Sequence, residues 1–573
     1  MSKYIDLANQ YIEDVLKGRV DACKWVKLAC KRHKKDLKNS SKRDYPYKFD
    51  IQKAEKPCKF IELLKHVKGP KAGENIVLEP WECFILCCIF GWVKKSNGFR
   101  RFKVAYIEVP RGNGKSLICS GIALFMLCAD GEAGADVYSF ATTRDQARIV
   151  FNDAQAMARG NKDLRDAFHL QVLNNSMLII GTNSKFMPKS ADASTNDGLN
   201  THCAIVDELH AHKTRDLYDV VYTSIGKRNQ PLLFTITTAG FELDGICMEK
   251  RRLIQKILQG EIEIDEMFGV IYTIDDTDNW QKDGEKALKK ANPNWGVSVE
   301  PSTILSLYKE ALINPQAENN FLTKHLNVWC NSNQSFFQMV KWRKCYRPDL
   351  ELADFQNCPC IYGLDLATKT DMVALIRLFW RSEKNSKGED QIHYYVFPEF
   401  FLPEATIHTS RNSQYEGWEK QGLIHATEGE VVNMVDIEQY IIHDTQQYDV
   451  LAFAYDPWQA TQLAQNLMNE GLPMVEIRMT TYNLSEPMKQ VQSLVYQKRL
   501  HTDGNPILEW HASNVIAHVD ANDNIFPRKE QNANKIDGIV ALIMAMNQAI
   551  FLNVEENYSD TNLSDIDITD LVI

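Results

Sequence analysis

Short apolar runs alternate with longer amphipathic segments between about residue 100 and residue 240 of this chain. The apolar runs have the length and composition of buried strands, and the segments between them repeat their apolar residues at helical spacing. Strands that alternate with helices predict an α/β domain, with a parallel sheet flanked by helices. The predicted elements are strand 103–109, helix 115–129, strand 136–141, helix 143–159 and strands 202–206 and 231–237.

The turn between the first strand and the first helix has the residues of a phosphate-binding loop. It runs from Val109 to Ser116, and Val109 stands where the general motif G-x-x-x-x-G-K-[ST] has its first glycine. The free N–H groups of a helix N-terminus bind anions, and Lys115 and Ser116 add a charge and a hydroxyl for Mg²⁺. The alternative is an ordinary glycine-rich turn. The predicted site for ATP with Mg²⁺ comprises Arg111, Gly112, Asn113, Gly114, Lys115 and Ser116.

Two acids, Asp207 and Glu208, directly follow the apolar run 202–206. In phosphate-loop enzymes a carboxylate at the end of such a strand binds the Mg²⁺ that bridges the phosphates, and a second residue orients the attacking water. We therefore predict that Asp207 binds the metal and that Glu208 is the catalytic base. A strand ending in Asp-Glu is common, but its combination with a preceding phosphate loop favours an ATPase.

Hydroxyls and arginines near the predicted site suggest further roles. Thr237 and Thr238 end the strand 231–237, where they are candidates for sensing the γ-phosphate and coupling hydrolysis to motion, although both also suit a turn. Arg111 is a candidate arginine finger acting in cis. Arg144 and Arg148 are weaker candidates for a finger acting in trans, and a structural salt bridge is the alternative role for each.

The chain from about residue 360 to residue 550 carries aspartates at the ends of apolar elements. Asp365 lies in a predicted strand, Asp371 follows in the next turn, Asp456 ends a second strand, and Asp537 lies at the start of an amphipathic helix. A charged residue on a buried strand is unfavourable unless it binds a metal or a partner. Three acids on two strands and a helix are the arrangement of an RNase H-like nuclease, which uses two divalent ions about 4 Å apart.

Carboxylates are preferred ligands of Mg²⁺ and Mn²⁺. We assign Asp365, Asp456 and Asp537 as the catalytic metal-binding set and Asp371 as an auxiliary ligand. Taken singly, each of them also suits a strand-end cap or a surface acid. Three more potential ligands in this region have no recognisable ligand spacing: His501, Asp503 and His511.

Composition limits the partners and the compartment. The net charge of −10 provides no overall cationic field, so contacts with DNA require local patches. Residues 1–45 are one candidate, with twelve Lys and Arg against six Asp and Glu, although a solvated helix face explains the same charges. The fourteen scattered cysteines suit reduced, buried thiols. The chain has no long apolar stretch and no secretory start, so we expect a cytoplasmic protein without membrane contact.

The ATPase pattern followed by the nuclease pattern resembles the large terminase subunit of tailed double-stranded-DNA bacteriophages. The likeness covers about residues 10 to 550. The matching stretches are Ala22-Cys23-Lys24, Arg32-His33, Asp36-Leu37, Leu78 to Glu82, Phe90-Gly91-Trp92, Pro110 to Ser116, Ser190-Ala191-Asp192, Asp197 to Asn200, Val206 to His212, Gly363 to Leu366 and Lys535 to Gly538.

The resemblance implies a motor that hydrolyses ATP to pump DNA into an empty procapsid, and a nuclease that cuts the concatemeric genome. It also implies a homo-oligomeric ring on the portal protein, delivery of DNA by a small terminase subunit, and action in the host cell cytoplasm. Trp81 and Glu82 fall in the family's adenine-contacting segment, where the family usually has Gln in place of Glu82. Val109 in place of glycine is common in the family.

We expect five regions along the chain. They are a basic helical segment at 1–70, an ATPase core at 71–242, a lid and linker at 243–350, an RNase H-like domain with a mixed sheet at 351–553, and a flexible acidic tail at 554–573. Two other functions remain as alternatives. One is a helicase-like translocase and nuclease of repair or restriction, and the other is a catalytically inactive structural or DNA-binding protein of the virion.

Overall fold

The chain forms two compact units, Met1–Cys330 and Asn331–Ile573. The computed structural model describes residues 2–189, 198–212, 214–243, 245–330, 335–366, 369–385, 387–410, 412, 414–458, 460–520, 522–529 and 534–552. The predicted acidic tail at 554–573 and the resembling residues 190–197 lie outside the described residues.

The N-terminal part of the first unit is helical. Its elements are α1 (Lys3–Leu16), α2 (Lys24–Ser40), β1 (Tyr47–Phe49), α3 (Ile51–Glu62), α4 (Pro80–Gly91) and β2 (Trp92–Lys94). In α2 the basic cluster divides, because His33 is buried while Lys31, Lys34 and Lys35 are exposed. Helix α4 is apolar on every side and almost entirely buried, as expected for a helix inside the core.

An eight-stranded sheet forms the centre of the first unit. Its strands follow the order β10-β3-β9-β8-β4-β7-β6-β5, parallel from β10 to β7 and antiparallel from β7 to β5. The elements are β3 (Val104–Glu108), α5 (Lys115–Cys128), β4 (Asp136–Phe140), α6 (Arg144–Gly160), α7 (Lys162–Phe168), β5 (Leu170–Val172), β6 (Met177–Ile179), β7 (Ser184–Lys189), β8 (Thr201–Asp207), α8 (Asp216–Ser224), β9 (Leu232–Thr237), α9 (Ile246–Gln259) and β10 (Met267–Ile271). The predicted parallel sheet flanked by helices is confirmed.

Four helices complete the first unit after β10. They are α10 (Trp280–Asp283), α11 (Glu285–Ala291), α12 (Pro301–Ile313) and α13 (Pro315–His325). The division at 330/331 differs from the expected boundaries at 242/243 and 350/351. The reason is that β10 pairs with β3 in the central sheet, and the helices after it form a small core beside that sheet.

The second unit is built on a seven-stranded mixed sheet. The strand order is β14-β13-β12-β11-β15-β16, with β17 also paired to β13, and a separate hairpin joins β18 and β19. The elements are α14 (Met339–Trp342), β11 (Pro359–Asp365), β12 (Val373–Lys384), β13 (Asp390–Pro403), α15 (Glu404–Thr409), α16 (Tyr415–Lys420), β14 (His425–Thr427), α17 (Met434–Thr445), β15 (Asp449–Tyr455), α18 (Thr461–Asn469), β16 (Met474–Glu476), α19 (Thr481–Gln497), β17 (Leu500–Thr502), α20 (Pro506–Asn514), β18 (Val515–Val519), β19 (Ile525–Lys529) and α21 (Asp537–Phe551).

Helix α21 lies unusually close to β11. A Cβ atom added at Gly363 would lie 2.0 Å from the carbonyl oxygen of Ala541, a distance that no side chain tolerates. Gly363 therefore lets the helix backbone rest directly on the strand. Asp365 lies two residues beyond Gly363 on the same face of β11, and Asp537 lies one helical turn before Ala541. This close packing brings the two aspartates to one end of the interface between strand and helix.

Candidate active sites

The first site lies at the carboxyl ends of β3 and β8, where the phosphate-binding loop leads into α5. Gly112 and Gly114 have φ angles of 87° and 74°, in the left-handed region that favours glycine. Gly114 is the residue that precedes the first turn of α5, so the loop exposes the N-terminus of a fourteen-residue helix. Lys115 and Ser116 begin that helix, as the sequence predicted.

Lys115 lies between the loop and the two acids that follow β8. Its ammonium group donates to the carbonyl oxygens of Val109 at 3.3 Å and Pro110 at 3.4 Å, and it lies 3.9 Å from Oε1 of Glu208. The side chain is buried, and burial lowers the pKa of Lys115. The structure thus brings together the lysine and the glutamate that the sequence assigned to one site.

Asp207 and Glu208 have pKa values that move in opposite directions. Burial, with the neighbouring charge of Glu208, raises the pKa of Asp207 to about 6. Burial also acts to raise the pKa of Glu208, but the hydrogen bond from His210 and the charge of Lys115 outweigh it and lower this pKa to about 2. Glu208 has a φ of 54°, which is uncommon for a residue other than glycine. Its carboxylate is therefore ionised and held in a constrained position.

A network of hydroxyls connects the end of β9 to Glu208. The imidazole Nδ1 of His210 lies 3.0 Å from Oε2 of Glu208 and 3.0 Å from Oγ1 of Thr237. The hydroxyl of Thr238 donates to the same Oε2 at 3.4 Å, and Oγ1 of Thr237 accepts from the backbone N–H of His210 at 3.1 Å. Both threonines thus touch the predicted base or its partner. Sequence reasoning assigned no role to His210.

Residues 292–298 form hydrogen bonds with the phosphate-binding loop, a contact that the sequence did not reveal. Asn113 donates to Oδ1 of Asn292 at 2.9 Å and accepts from the backbone N–H of Asn294 at 3.0 Å. Ser298 donates to the carbonyl oxygen of Gly112 at 2.6 Å. The sequence marked this Asn-Pro-Asn-Trp-Gly segment only as a break between helices. These contacts span almost two hundred residues, so no local pattern signals them.

The remaining predicted residues surround the loop. Trp81 is buried and donates to Oδ1 of Asn294 at 2.7 Å. Glu82 accepts from the backbone N–H of Glu79 at 2.8 Å, and burial raises its pKa to about 8. Their predicted contact with adenine stays a prediction. Arg111 is exposed, and its charge acts on the pKa values of both Lys115 and Glu208.

The roles of the two weaker arginine candidates stay predictions. Arg148 donates to Oδ1 of Asn175, so it is engaged in a hydrogen bond on the surface of its own unit. The side chain of Arg144 lies outside the described residues.

The second site lies at the carboxyl ends of β11 and β15 in the other unit. These strands are parallel neighbours, and Leu364 pairs with Tyr455, so Asp365 and Asp456 follow at adjacent positions. Asp537 begins α21, which rests on β11 through Gly363. All three predicted catalytic aspartates therefore meet at one edge of the sheet.

Burial and like charges together set the electrostatics of this second site. Burial, followed by the charges of Asp537, Asp456 and Asp371, raises the pKa of Asp365 well above its usual range. Burial and the charge of Asp371 raise the pKa of Asp537 to about 6. Lys535 forms a salt bridge with Asp371, which leaves the other three carboxylates less compensated. Such a cluster is stabilised by binding cations.

The donor set fits divalent ions. Oδ2 of Asp537 is buried and finds no hydrogen-bond partner among the residues that the structure describes. Within the described part of the chain, only Glu383, His393 and His501 bring three potential ligand atoms within 4.8 Å of one another. The aspartates are spread further apart, which suits carboxylates divided between two ions.

His511, which the sequence left unassigned, contacts the first turn of α21. Its Nδ1 accepts a hydrogen bond of 2.9 Å from the backbone N–H of Gly538, the residue after Asp537. Burial lowers the pKa of His511 to about 3, so the ring is neutral and able to accept. Asp503 instead accepts from the backbone N–H of Asn505 at 3.0 Å, and burial raises its pKa to about 6.

Two family models match the chain over these two sites. The terminase large subunit ATPase domain matches residues 80–256, and the terminase large subunit endonuclease domain matches residues 261–552. The chain belongs to the terminase large subunit family. This terminase therefore has an ATPase domain and an endonuclease domain, and the interpretation of the sequence as a DNA-packaging ATPase and nuclease is confirmed. Membership of this family excludes both alternative functions.

The chain is also similar to individual proteins and to a solved structure. Protein YmfN of Escherichia coli K12 is 38% identical over 378 residues, which cover 64% of this chain and 81% of that protein. The terminase large subunit of Enterobacteria phage HK97 is 24% identical over 511 residues, which cover 87% of this chain and 96% of that protein. The crystal structure of the HK97 large terminase matches with 22% identity and a TM-score of 0.42, covering 87% of this chain and 99% of that chain.

The described helices contain none that combines the length and the apolar composition needed to span a membrane. The terminase uses nucleotide and divalent metal, and it acts on DNA within the phage packaging machinery.

Proposed function

We propose that this terminase hydrolyses ATP with Mg²⁺ at the loop 109–116 to move double-stranded DNA into a procapsid, and cleaves the concatemer at the aspartate site. The observation that supports the proposal best is the charge pattern at the two strand edges. In the first site Lys115 lies 3.9 Å from an ionised Glu208. In the second, burial together with the charges of neighbouring aspartates raises the pKa values of Asp365 and Asp537.

For ATP hydrolysis, the N-terminus of α5 and Lys115 would bind the phosphates, and Ser116 and Asp207 would hold Mg²⁺. Bound Mg²⁺ supplies charge stabilisation for the transferred phosphoryl group. The low pKa of Glu208 makes it a weak proton acceptor, so we assign it chiefly to positioning the attacking water. Arg111 is the candidate arginine finger, since it is exposed and its charge reaches both Lys115 and Glu208.

Coupling of hydrolysis to motion is proposed for Thr237 and Thr238. Thr238 donates to the carboxylate of Glu208, and Thr237 contacts the imidazole of His210. A change in the position of Glu208 on nucleotide turnover would therefore pass directly to the end of β9. We assign His210 as the residue that orients Glu208 within this network.

For DNA cleavage, Asp365, Asp456 and Asp537 would hold two Mg²⁺ or Mn²⁺ ions, with Asp371 as an auxiliary ligand. Bound ions supply an activated water and stabilise the leaving oxygen of the phosphodiester. His511 would fix the first turn of α21, and with it the carboxylate of Asp537, through the N–H of Gly538. The unpartnered Oδ2 of Asp537 supports its assignment as a ligand.

The remaining proposals follow from membership of the family. We expect the protein to act as a homo-oligomeric ring on the portal protein, to receive the concatemeric genome from a small terminase subunit, and to work in the host cell cytoplasm. The family assignment supports these partners without identifying the surfaces that bind them.

The proposal is tested by separating the two activities in the full-length chain. DNA-stimulated ATP hydrolysis and Mn²⁺-dependent plasmid cleavage are measured for the wild type, Lys115→Ala and Asp365→Asn. We expect Lys115→Ala to lose ATP hydrolysis and Asp365→Asn to lose cleavage, each by roughly 100-fold or more. Each variant is expected to keep its other activity.

Exposed residues of the same types provide the controls. Lys256→Ala in the first unit and Asp390→Asn in the second replace surface charges, and we expect both activities to persist in both variants. Full ATP hydrolysis in Lys115→Ala, or undiminished cleavage in Asp365→Asn, would refute the corresponding assignment.

A further inference from the structure

A second group of potential metal ligands lies in the nuclease unit, apart from the aspartates. Nδ1 of His393 lies 2.8 Å from Nε2 of His501 and 3.7 Å from Oε2 of Glu383. One donor atom from each of the three residues falls within 4.8 Å of the other two. The two imidazole rings stack with an angle of 8° between their planes.

Strand pairing explains why these residues meet. Glu383 of β12 pairs with Gln391 of β13, and His393 lies two residues further on the same face. His501 of β17 pairs with Tyr395, which is again two residues beyond His393. The three side chains therefore project from one face of three adjacent strands.

This group is remote from the nuclease site. Asp365 pairs with Ala374 near the start of β12, whereas Glu383 lies nine residues further along the same strand. At about 3.3 Å per residue, the separation along β12 is roughly 30 Å. The ligands of one site therefore cannot serve the other.

The surroundings of Glu383 orient its carboxylate as a metal ligand needs. Tyr395 and Arg347 both donate to Oε1 of Glu383, Arg347 at 3.0 Å, so Oε2 is the oxygen that faces His393. Partners of this kind, one shell outside a metal, fix the ligand and tune the site. The charge of Arg347 opposes a cation, but Asp349 also pairs with this arginine at 3.3 Å.

The donor atoms select the class of metal. Two imidazole nitrogens and one carboxylate oxygen suit Zn²⁺ and similar transition metals, whereas Mg²⁺ prefers oxygen ligands only. Zinc binds imidazole nitrogen at about 2.0–2.1 Å, so two such ligands in a tetrahedron lie roughly 3.3 Å apart. The two nitrogens lie 2.8 Å apart in the structure, so metal binding requires the rings to separate by about half an ångström.

We propose that Glu383, His393 and His501 form a mononuclear site for a divalent transition metal of the Zn²⁺ class. The metal ties β17 to the hairpin of β12 and β13. Strand β17 pairs with β13 over only three residues, so a metal crosslink adds substantially to its attachment. The site is distinct from the two-ion nuclease site and does not depend on the function assigned to that site.

The test uses Co²⁺ as a spectroscopic probe on the full-length chain carrying Asp365→Asn, with Mg²⁺ in excess. Nitrogen ligands in a tetrahedral site give Co²⁺ a strong visible absorption, and octahedral oxygen sites give a much weaker one. We expect one equivalent of Co²⁺ to give the strong band, and one equivalent of Zn²⁺ to abolish it. Adding His501→Ala or Glu383→Gln should weaken Co²⁺ binding by at least about tenfold.

His443→Ala, which replaces an exposed histidine in the same unit, should leave the Co²⁺ titration unchanged. His393→Asn is a second variant at the site, and the metal-free thermal transition checks that each variant is folded. Absence of the strong band in the parent chain would overturn the proposal. If folded His501→Ala and folded His393→Asn both bind Co²⁺ as tightly as the parent chain, the proposal is overturned as well.

Discussion

The two candidate active sites are both acidic and both lie at the carboxyl ends of parallel strands, yet their charges are balanced in opposite ways. Beside β8, Lys115 and His210 surround Glu208 and lower its pKa to about 2. Beside β11, burial together with the charges of three other aspartates raises the pKa of Asp365 well above its usual range. The ionised form of a carboxyl group is thus stabilised at Glu208 in the first site and destabilised at Asp365 in the second.

The difference matches what each site is expected to bind. A nucleotide with Mg²⁺ brings both an anion and a cation, so its site contains groups of both signs. A nuclease of the two-ion type binds cations before it binds DNA, so its protein ligands carry uncompensated negative charge. The four predictions below change this balance, beginning with the largest expected effect.

Replacing Glu208 removes its ionised carboxylate from the ATPase site. We expect Glu208→Gln to slow DNA-stimulated ATP hydrolysis by about 10²-fold or more, because the neutral amide no longer accepts a strong, charge-assisted hydrogen bond from the attacking water. Plasmid cleavage should continue. A colorimetric phosphate assay measures the first activity, and a gel assay with Mn²⁺ measures the second.

Glu261→Gln serves as the control, since Glu261 is an exposed acid in the same unit. Nucleotide binding, measured as the upward shift of the thermal transition by ADP, should persist in Glu208→Gln because Lys115 and the loop remain. Hydrolysis at more than half the wild-type rate would remove Glu208 from the catalytic role.

Replacing Gly363 is expected to move Asp537 away from Asp365 in the nuclease site without changing any charge. The added methyl group of Gly363→Ala would lie 2.0 Å from the carbonyl oxygen of Ala541, so α21 must move away from β11. We expect a loss of about 3 kcal/mol in stability of the nuclease unit and loss of Mn²⁺-dependent cleavage. Calorimetry of the full chain measures the first, using the transition that Mn²⁺ shifts.

Gly417→Ala is the matched control, because Gly417 lies in α16 of the same unit and an added Cβ there meets nothing within 4 Å. It should be neutral or slightly stabilising. Wild-type stability in Gly363→Ala would mean that α21 does not need this contact.

The sequence predicted those parts of each site that local patterns carry. Asp365, Asp456 and Asp207 each end an apolar run, so their placement at a sheet edge follows from strand periodicity alone. Gly114 and Lys115 belong to a contiguous motif. The sequence also predicted the parallel sheet, because its strands β3, β4, β8 and β9 are largely buried and mainly apolar.

Contacts between distant segments were not predictable in this way. Asn294 and Ser298 reach the phosphate loop from almost two hundred residues away, and nothing in their local sequence announces it. Glu383, His393 and His501 lack a ligand spacing, because the pairing of three strands, and not the chain order, brings them together. Strands β5 and β6 have three residues each, too few for a periodic pattern.

Glu82, like Asp207, has a raised pKa in the first unit, because burial without a cationic partner raises the pKa of Glu82 to about 8 from the ordinary value of 4.5. The folded protein therefore holds a proton that the unfolded chain releases, and stability falls as the pH rises from about 4.5 to about 8. Glu82→Gln should remove this loss, with a gain of about 3 kcal/mol at pH 7. Calorimetry of the transition that ADP shifts, at pH 5, 7 and 8, measures it.

The exposed residue Glu74 supplies the comparison for this variant. Glu74→Gln should leave the pH dependence of that transition as it is in the wild type. If Glu82→Gln shows the same loss of stability between pH 5 and pH 8 as the wild type, Glu82 is not the group responsible.

The smallest effect tests the imbalance itself. Asp365 is repelled by three other aspartates, and Lys529 opposes them in part, so Asp365→Asn should stabilise the metal-free nuclease unit at pH 8 by about 1 kcal/mol. The same change should reduce the stabilisation that Mn²⁺ confers, since a ligand has been lost. Calorimetry with and without Mn²⁺ measures both, with Asp390→Asn as the surface control. If Asp365→Asn instead destabilises the metal-free protein, the charges of the aspartates are already compensated within the protein. The two sites would then not differ in their charge balance.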